Sequence, residues 1–439
     1  MRTSLAPVTR RSLLTGILAT ATAPLCVPSR VLGLGGAVSP SNQISLGVIG
    51  VGRQGQVDMQ AFMNHDDVRV TALCDVNERN LAAARGILAQ KYGGAHVRSF
   101  ADFRELNLDI SVDAVLMALP VHWHSIPSTD AILKGKHIYH EKPMALSFAE
   151  SRHVREAVRR SRVTFQFGTQ QRSDLKFRWA CELVRNGRIG NLQEIQVGVE
   201  GGIQTEVFPV QKIPAYIQWD QWIGPAPESH FSSKKLDRRY HENITDFSLG
   251  MISCWGIHHL DIAQWGNGTD DTGPVSVEGQ GTYPASGTCN AVQTWKVRYE
   301  YANAAPITFA SEGEEISHGI KFFGDAGWIQ VKRGKIWSSD EKLLLDPQNK
   351  EGTMPVKLPV STDHTRNFLD AIKTRSTPIC GIETAVRSDT LCQLASIALR
   401  SRRKLAWDPV SESFGTDTKA ARLLEARPFR GDWKLPAIS

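Results

Sequence analysis

Residues 50–55 read Gly-Val-Gly-Arg-Gln-Gly, so Gly50, Gly52 and Gly55 have the spacing of a turn that cradles a pyrophosphate. An apolar run from Ile44 leads into the turn, and a helical pattern (56–64) leads out of it. Gly50 permits the tight bend. Gly52 lets the main chain approach a phosphate, and Gly55 lets the helix pack close to the strand. Arg53 and Gln54 lie in the same turn, at the helix N-terminus that offers free N–H groups to an anion. A second apolar run, 68–74, ends at Asp75, 20 residues past Gly55, where a carboxylate binds ribose hydroxyls. Such a carboxylate disfavours a 2′-phosphate. The expected cofactor is therefore NAD, with NADP less favoured; Arg53 and Arg79 are the nearby cations that would favour NADP.

Two further groups carry proton chemistry. Glu141-Lys142-Pro143 closes a predicted strand, and in open α/β sheets strand C-termini face the ligand crevice. His258-His259 lies on a predicted helix with Asp261. Histidine titrates near neutrality and suits proton transfer. The pair lacks a further carboxylate or histidine at ligand spacing, and no CxxC occurs, so no metal site is expected. The segment from Trp219-Asp-Gln-Trp222 to Arg238-Arg-Tyr240 is rich in aromatic and charged residues, which suit a carbohydrate or, equally, a packed surface loop with buried tryptophans.

These residues need elements to position them. From Ile44 to about Gly168, strand and helix patterns alternate, as a doubly wound parallel sheet requires. The predicted strands include 113–118, 137–141 and 163–167. A helix is predicted over 148–160, with Ser147 and Glu150 as a capping box, and another over 178–185. Segments 192–200, 275–283, 292–301, 306–311, 320–323 and 328–332 then alternate with a period of two, which predicts a large, mostly antiparallel sheet. Residues 204–250 read as irregular, 256–265 as helix, and the chain from Asp363 as helical. The fold class is thus an α/β Rossmann domain plus an α+β domain. The expected boundaries are an export signal and linker over 1–41, a nucleotide-binding domain over 42–168, a substrate domain over 169–362 and a closing helical segment over 363–439.

The chain of 439 residues carries a net charge of +6 without a long basic run, so no nucleic-acid partner is expected. Thr9-Arg10-Arg11-Ser12-Leu13-Leu14 resembles a twin-arginine export signal, followed by a short apolar stretch broken by Pro24 and Pro28. That stretch predicts export to the periplasm or beyond, without stable membrane insertion. The scattered cysteines predict no disulfide framework.

Beyond Ile44 the sequence resembles the Gfo/Idh/MocA family, which includes glucose–fructose oxidoreductase and inositol dehydrogenase. The resemblance rests on the glycine turn, Leu119-Pro-Val-His-Trp-His124, Glu141-Lys142-Pro143, Gly168-Thr-Gln-Gln-Arg172, Trp222-Ile-Gly-Pro-Ala226, the run from Trp255 to Trp265, and Phe323-Gly-Asp-Ala-Gly-Trp328. It implies a Rossmann domain followed by a sheet domain that lines a substrate pocket. It places Pro120, His124, Glu141 and Lys142 at the cofactor, and Gln170, Arg172, Trp222, His259 and Asp261 at the substrate. It assigns the chemistry to Lys142 and His258, and implies a cis bond before Pro143.

One departure stands out. Where many family dehydrogenases carry an aspartate four residues before the histidine, this chain has Cys254. Asp246, Glu242 and Asp261 are the candidate replacements. The expected activity is NAD-dependent oxidation of a sugar, glycoside or cyclitol hydroxyl by a homo-oligomer, with a tightly held, recycled cofactor because free NAD is scarce outside the cytoplasm. A redox-neutral route, in which transient oxidation permits elimination at a glycosidic bond, is the alternative. A non-catalytic sensor is the third class.

Overall fold

The computed structural model describes residues 39, 42–94, 97–345 and 354–438, so the Arg10-Arg11 segment lies outside the described residues. Both sheets belong to one body of the chain. The first has the order β3 (Arg98–Phe100), β2 (Val68–Cys74), β1 (Ile44–Ile49), β4 (Ala114–Met117), β5 (His137–His140), β6 (Phe165–Phe167), and every pair is parallel. Helices α1 (Arg53–Phe62), α2 (Glu78–Tyr92), α3 (Phe103–Leu108), α4 (Ser125–Leu133) and α5 (Phe148–Arg159) follow its strands. Because helices cover both faces, β4 is buried along its whole length, and its sequence is a continuous apolar run rather than an alternation. The strand order reverses between β1 and β4, and a ligand crevice opens beyond the C-terminal ends of the strands at that point.

Helix α6 (Leu175–Arg185) leads to the second sheet, whose order is β13 (Lys335–Ser338), β12 (Gly327–Lys332), β11 (Gly319–Gly324), β7 (Leu192–Val199), β10 (Ile307–Ser311), β9 (Thr294–Glu300), β8 (Ser276–Thr282), β14 (Leu405–Ala406). Only the β7–β10 pair is parallel, with Ile195 opposite Ile307, so the sheet is mostly antiparallel as expected. One face is apolar: Ile195, Val197, Trp295, Val297, Tyr299, Phe309 and Phe322 are buried. Helix α10 (Gly256–Asn267) lies across it. A Cβ on Gly256 would stand 2.6 Å from Phe309, and one on Gly266 would stand 2.4 Å from Phe322, so both glycines permit the close approach.

The stretch expected to be irregular carries the short helices α7 (Trp219–Ile223) and α8 (Arg238–His241), and α9 (Met251–Cys254) follows it before α10. The last part of the chain ties the layers together. Helix α11 (His364–Thr374) sets Phe368 edge-on to Phe62 of α1 and to Tyr139. Helix α12 (Ile382–Ser401) contributes Leu391, Leu394 and Ala398 to the core shared with α10 and the second sheet. The terminal segment returns to the first domain, where Trp433 packs edge-on to Trp123.

Candidate active site

A cavity of about 950 Å³ opens at the strand-order reversal and is lined from both domains. Its floor is the glycine turn. The three glycines differ in what they would meet. Gly50 has φ +84°, and a Cβ there would stand 2.2 Å from the Ala118 carbonyl oxygen. A Cβ on Gly55 would stand 1.9 Å from the Gly50 oxygen. Both glycines are therefore required by the fold. Gly52 has an ordinary φ of −67°, and the nearest atom to its Cβ would be Asn80 Nδ2 at 3.8 Å. The protein itself has no need of a glycine at that position. Gly52 is the N-cap of α1 and provides no side-chain cap, leaving a bare helix N-terminus facing the cavity with Arg53 and Gln54 in its lining.

Asp75 lies at the end of β2 in the same wall. Its Oδ2 accepts from Val51 N at 3.0 Å and from Asn80 Nδ2 at 3.1 Å, and its Oδ1 accepts from Asn77 N at 2.8 Å. Burial pushes this carboxyl up to about 6 despite those bonds. Asp75 thus ties the glycine turn to β2 as well as facing the crevice. Asn80 is a contributor that the sequence reading missed; a polar residue in the first turn of a helix carries no distinctive signal.

Glu141 and Lys142 form the opposite wall, and the Lys142–Pro143 bond is cis. Glu141 is 3% exposed; its Oε2 accepts from Lys142 N at 3.2 Å and its Oε1 from Gln170 Nε2 at 3.1 Å. Lys142 Nζ donates to the main-chain oxygen of Cys254 at 2.9 Å. That bond brings the lysine to the helical turn preceding His258. Burial first, then the positive charges of Lys142 and Arg333, push the His258 imidazole well below the usual histidine value. The ring is 2% exposed and its Nδ1 has no hydrogen-bond partner.

Other expected site residues fall into two groups. Pro120 and Trp222 line the cavity; Trp222 stacks on Trp219 at 4.8 Å, and its carbonyl oxygen accepts from Trp123 Nε1 at 2.8 Å. His124, Gln170, Arg172, His258, His259 and Asp261 do not line it. His124 is fully buried between the carbonyl oxygens of Leu119 and Pro143, where it braces two loops instead of meeting a ligand. Arg172 and Asp261 face each other in the interior, at 3% and 0% side-chain exposure, joined by two bonds of 2.8 Å; Ser388 Oγ adds a third to Asp261. A buried carboxylate needs such a partner, and this one fastens α10 and α12 to the turn after β6. His259 Nδ1 lies 3.1 Å from the Gly198 oxygen of β7, in the sheet-facing layer of α10. Gln170 bridges Glu141 and its neighbours from behind the wall. Of the three carboxylates weighed as replacements at Cys254, Glu242 lines the cavity, Asp246 faces Arg427 at 3.7 Å, and Asp261 is held by Arg172.

Sequence models of an oxidoreductase family match two segments. One, described as an NAD-binding Rossmann fold, covers residues 44–169; the other, a C-terminal alpha/beta domain, covers 195–435. The chain belongs to the Gfo/Idh/MocA oxidoreductase family. Myo-inositol 2-dehydrogenase of Thermotoga maritima is 30% identical over 152 residues, which are 35% of this chain and 44% of that protein. A glycosyl hydrolase family 109 protein of Shewanella sp. (strain ANA-3) is 33% identical over 136 residues, 30% of this chain and 29% of its own length. The chain thus spans less than half the length of the curated relatives it matches. Among solved structures, the WlbA dehydrogenase of Bordetella pertussis, in complex with NADH and UDP-GlcNAcA, superposes with a TM-score of 0.62 at 16% identity, covering 83% of this chain and 99% of that one. No helix among the described residues is long and apolar enough to cross a membrane.

Proposed function

We propose that this oxidoreductase holds NAD(H) in the crevice at the strand-order reversal and moves a hydride between the nicotinamide and a CH–OH of a sugar, glycoside or cyclitol. The observation that carries this reading is Gly52: a glycine with no internal reason to be one, at a bare helix N-terminus lining a large cavity. A pyrophosphate there gives the missing reason. Gly52, Arg53 and Gln54 would meet the phosphates and Asp75 the ribose hydroxyls, favouring NAD over NADP. The cofactor, when bound, supplies the hydride acceptor or donor.

The chain's own part is binding and proton movement. Lys142 would hold the substrate hydroxyl, its ammonium oriented by the Cys254 carbonyl oxygen. The ammonium has three N–H donors, so the bond to Cys254 leaves two for ligands. His258, kept neutral by its surroundings, is buried outside the cavity lining, and its part in moving the hydroxyl proton rests on the family resemblance. Trp222, Arg238 and Glu242 line the part of the cavity formed by the second domain, and are the sugar-facing surface.

A second reading rests on Cys254. With a thiol instead of a carboxylate at the residue whose main-chain oxygen takes the Lys142 bond, a redox-neutral elimination at a glycosidic bond is the alternative for the same cavity, and the similarity to a glycosyl hydrolase family 109 protein supports it. Incubation with a panel of polyols and glycosides separates the two. Accumulating reduced nicotinamide marks the dehydrogenase, whereas cleaved glycoside without net reduction marks the elimination. Neither product across the panel would contradict both.

Export through a twin-arginine route, which passes folded proteins, is part of the same proposal and accords with a cofactor retained and recycled in the site. Fractionation of cells expressing the full chain, against an Arg10→Lys, Arg11→Lys variant, tests it. Equal distribution of the two proteins would contradict export.

A further inference from the structure

Behind Glu141 lies a second carboxyl group without a role in the chemistry above. Asp58 stands on the buried face of α1 beside Met59 and Phe62, and is 3% exposed. Its Oδ1 accepts from Gln54 Nε2 at 3.0 Å and from Gln170 Nε2 at 3.5 Å. The same Gln170 nitrogen reaches Glu141 Oε1 at 3.1 Å and the Tyr139 hydroxyl at 3.3 Å. One amide thus faces three acceptor oxygens with two hydrogens. Asp58 Oδ2 is buried without any hydrogen-bond partner.

The groups bonded to the two carboxyls are amides and a main-chain N–H, not cations. Two carboxylates bridged in this way, in an interior floored by Tyr139, Phe62 and Phe368, would repel each other if both were ionised. The unpartnered Oδ2 is where a proton relieves that repulsion. Charged groups face the pair at longer range: Lys142 from the loop after β5, Arg238 from α8 and Arg333 from the β12–β13 turn; the Tyr139 phenol is the titratable neighbour on β5. Burial pushes Asp58 up to about 7 and Glu141 well above the usual carboxyl range, while Lys142 opposes both shifts.

We propose that Asp58 and Glu141 take up one proton between them and form a proton store for the cofactor site, with proton affinity that rises when the nicotinamide loses its positive charge. This rests on the function proposed above. In alcohol oxidation the substrate carbon gives a hydride to the nicotinamide and the hydroxyl gives up a proton. That proton would be taken up at Glu141, the cavity-lining member of the pair when it is ionised, so charge lost at the ring would be matched by charge neutralised beside it. Asp58 touches neither substrate nor cofactor. It is a positioning residue that fixes the protonation of Glu141, the member of the pair that lines the cavity.

Calorimetric titration of the full chain with NAD⁺ and with NADH, at neutral pH in buffers of different ionisation enthalpy, measures protons taken up on binding. The wild type should take up a sizeable fraction of a proton more with NADH than with NAD⁺. Asp58→Asn, whose amide oxygen still accepts from Gln54 and Gln170, should at least halve that difference. Equal uptake for both forms in the wild type, or an undiminished difference in Asp58→Asn, overturns the proposal. Infrared pH titrations of the cofactor-free wild type, of Asp58→Asn and, separately, of Glu141→Gln give a second measurement: the protonated-carboxyl signal near neutrality, to which Asp389 and Asp75 also contribute, should be smaller in each variant, and an equal signal in all three proteins overturns the shared proton. Failure of both nucleotides to bind would instead overturn the functional reading, and the redox link with it, while the infrared difference between the wild type and the two variants still decides whether the pair holds a proton.

Discussion

Lys142 Nζ donates to the main-chain oxygen of Cys254 at 2.9 Å, across 112 residues of sequence and from one domain to the other. The bond gives the lysine a fixed direction without a carboxylate partner. It also joins the Glu-Lys-Pro loop to the turn of helix that precedes His258, so two motifs distant in sequence meet at one atom.

Lys142→Met should cut turnover by about 10²-fold or more, as loss of a positioned proton-transfer group does. NADH affinity should change by only a few fold, because the glycine turn and Asp75 lie on other elements. His258→Gln should lower turnover similarly at unchanged melting temperature. Steady-state kinetics on a responsive substrate, with nucleotide titrations alongside, checks both. A Lys142→Met enzyme with near-normal turnover would make the lysine structural.

Cys254→Asp restores a carboxylate beside Lys142. Cys254 is 2% exposed, and burial pushes its thiol up to about 12, so in the natural protein it carries no charge. For a dehydrogenase short of a carboxylate, the substitution should raise turnover or shift the pH profile. A neutral or harmful effect on net reduction, with glycoside cleavage as the native activity, would favour the redox-neutral reading.

Arg172 supplies a contrast between structure and substrate contact. Arg172→Met removes the partner of Asp261 and should destabilise the protein by about 3–5 kcal/mol, the usual cost of leaving a buried charge unpaired. Urea unfolding measures this. Unchanged stability with a raised KM would return Arg172 to the substrate.

Much of this architecture was legible because its signals are local. The continuous apolar run of β4 and the alternation of β9 each follow from which faces are covered, and the Gly50–Gly55 spacing marks the turn. Short edge strands left no such mark: β3 has 3 residues and β14 has 2, too few to show a period. The site was legible where a motif ends a strand, as at Asp75 and Lys142. It was not legible where a polar residue serves another polar residue inside the protein. Arg172 and Asp261 read as ligand contacts because charge in sequence does not reveal its partner, and Asp58 passed unnoticed beside apolar Met59.

Asp389 offers a test of pH-dependent stability away from the cavity. It is fully buried, and burial raises its carboxyl to about 7 against the bonds from Ser151 and Gln393 that lower it. A carboxyl raised in the folded state adds stability below its unfolded value, and that contribution is lost as the pH rises through the folded one. From about pH 5 to about pH 8, the wild type should therefore lose stability relative to Asp389→Asn, whose amide does not titrate. Denaturant unfolding at several pH values checks this; a difference that stays flat across the range would contradict it.

The most direct test is NADH titration of the purified protein against Gly52→Val, read by energy transfer from tryptophan. Space beside Gly52 means that the valine variant should fold and melt like the wild type. The wild type should bind NADH saturably at one site per chain, and the variant should lose that binding because its side chain takes the place of the pyrophosphate. Equal NADH affinity in the two proteins would contradict the placement of the cofactor and the hydride chemistry built on it.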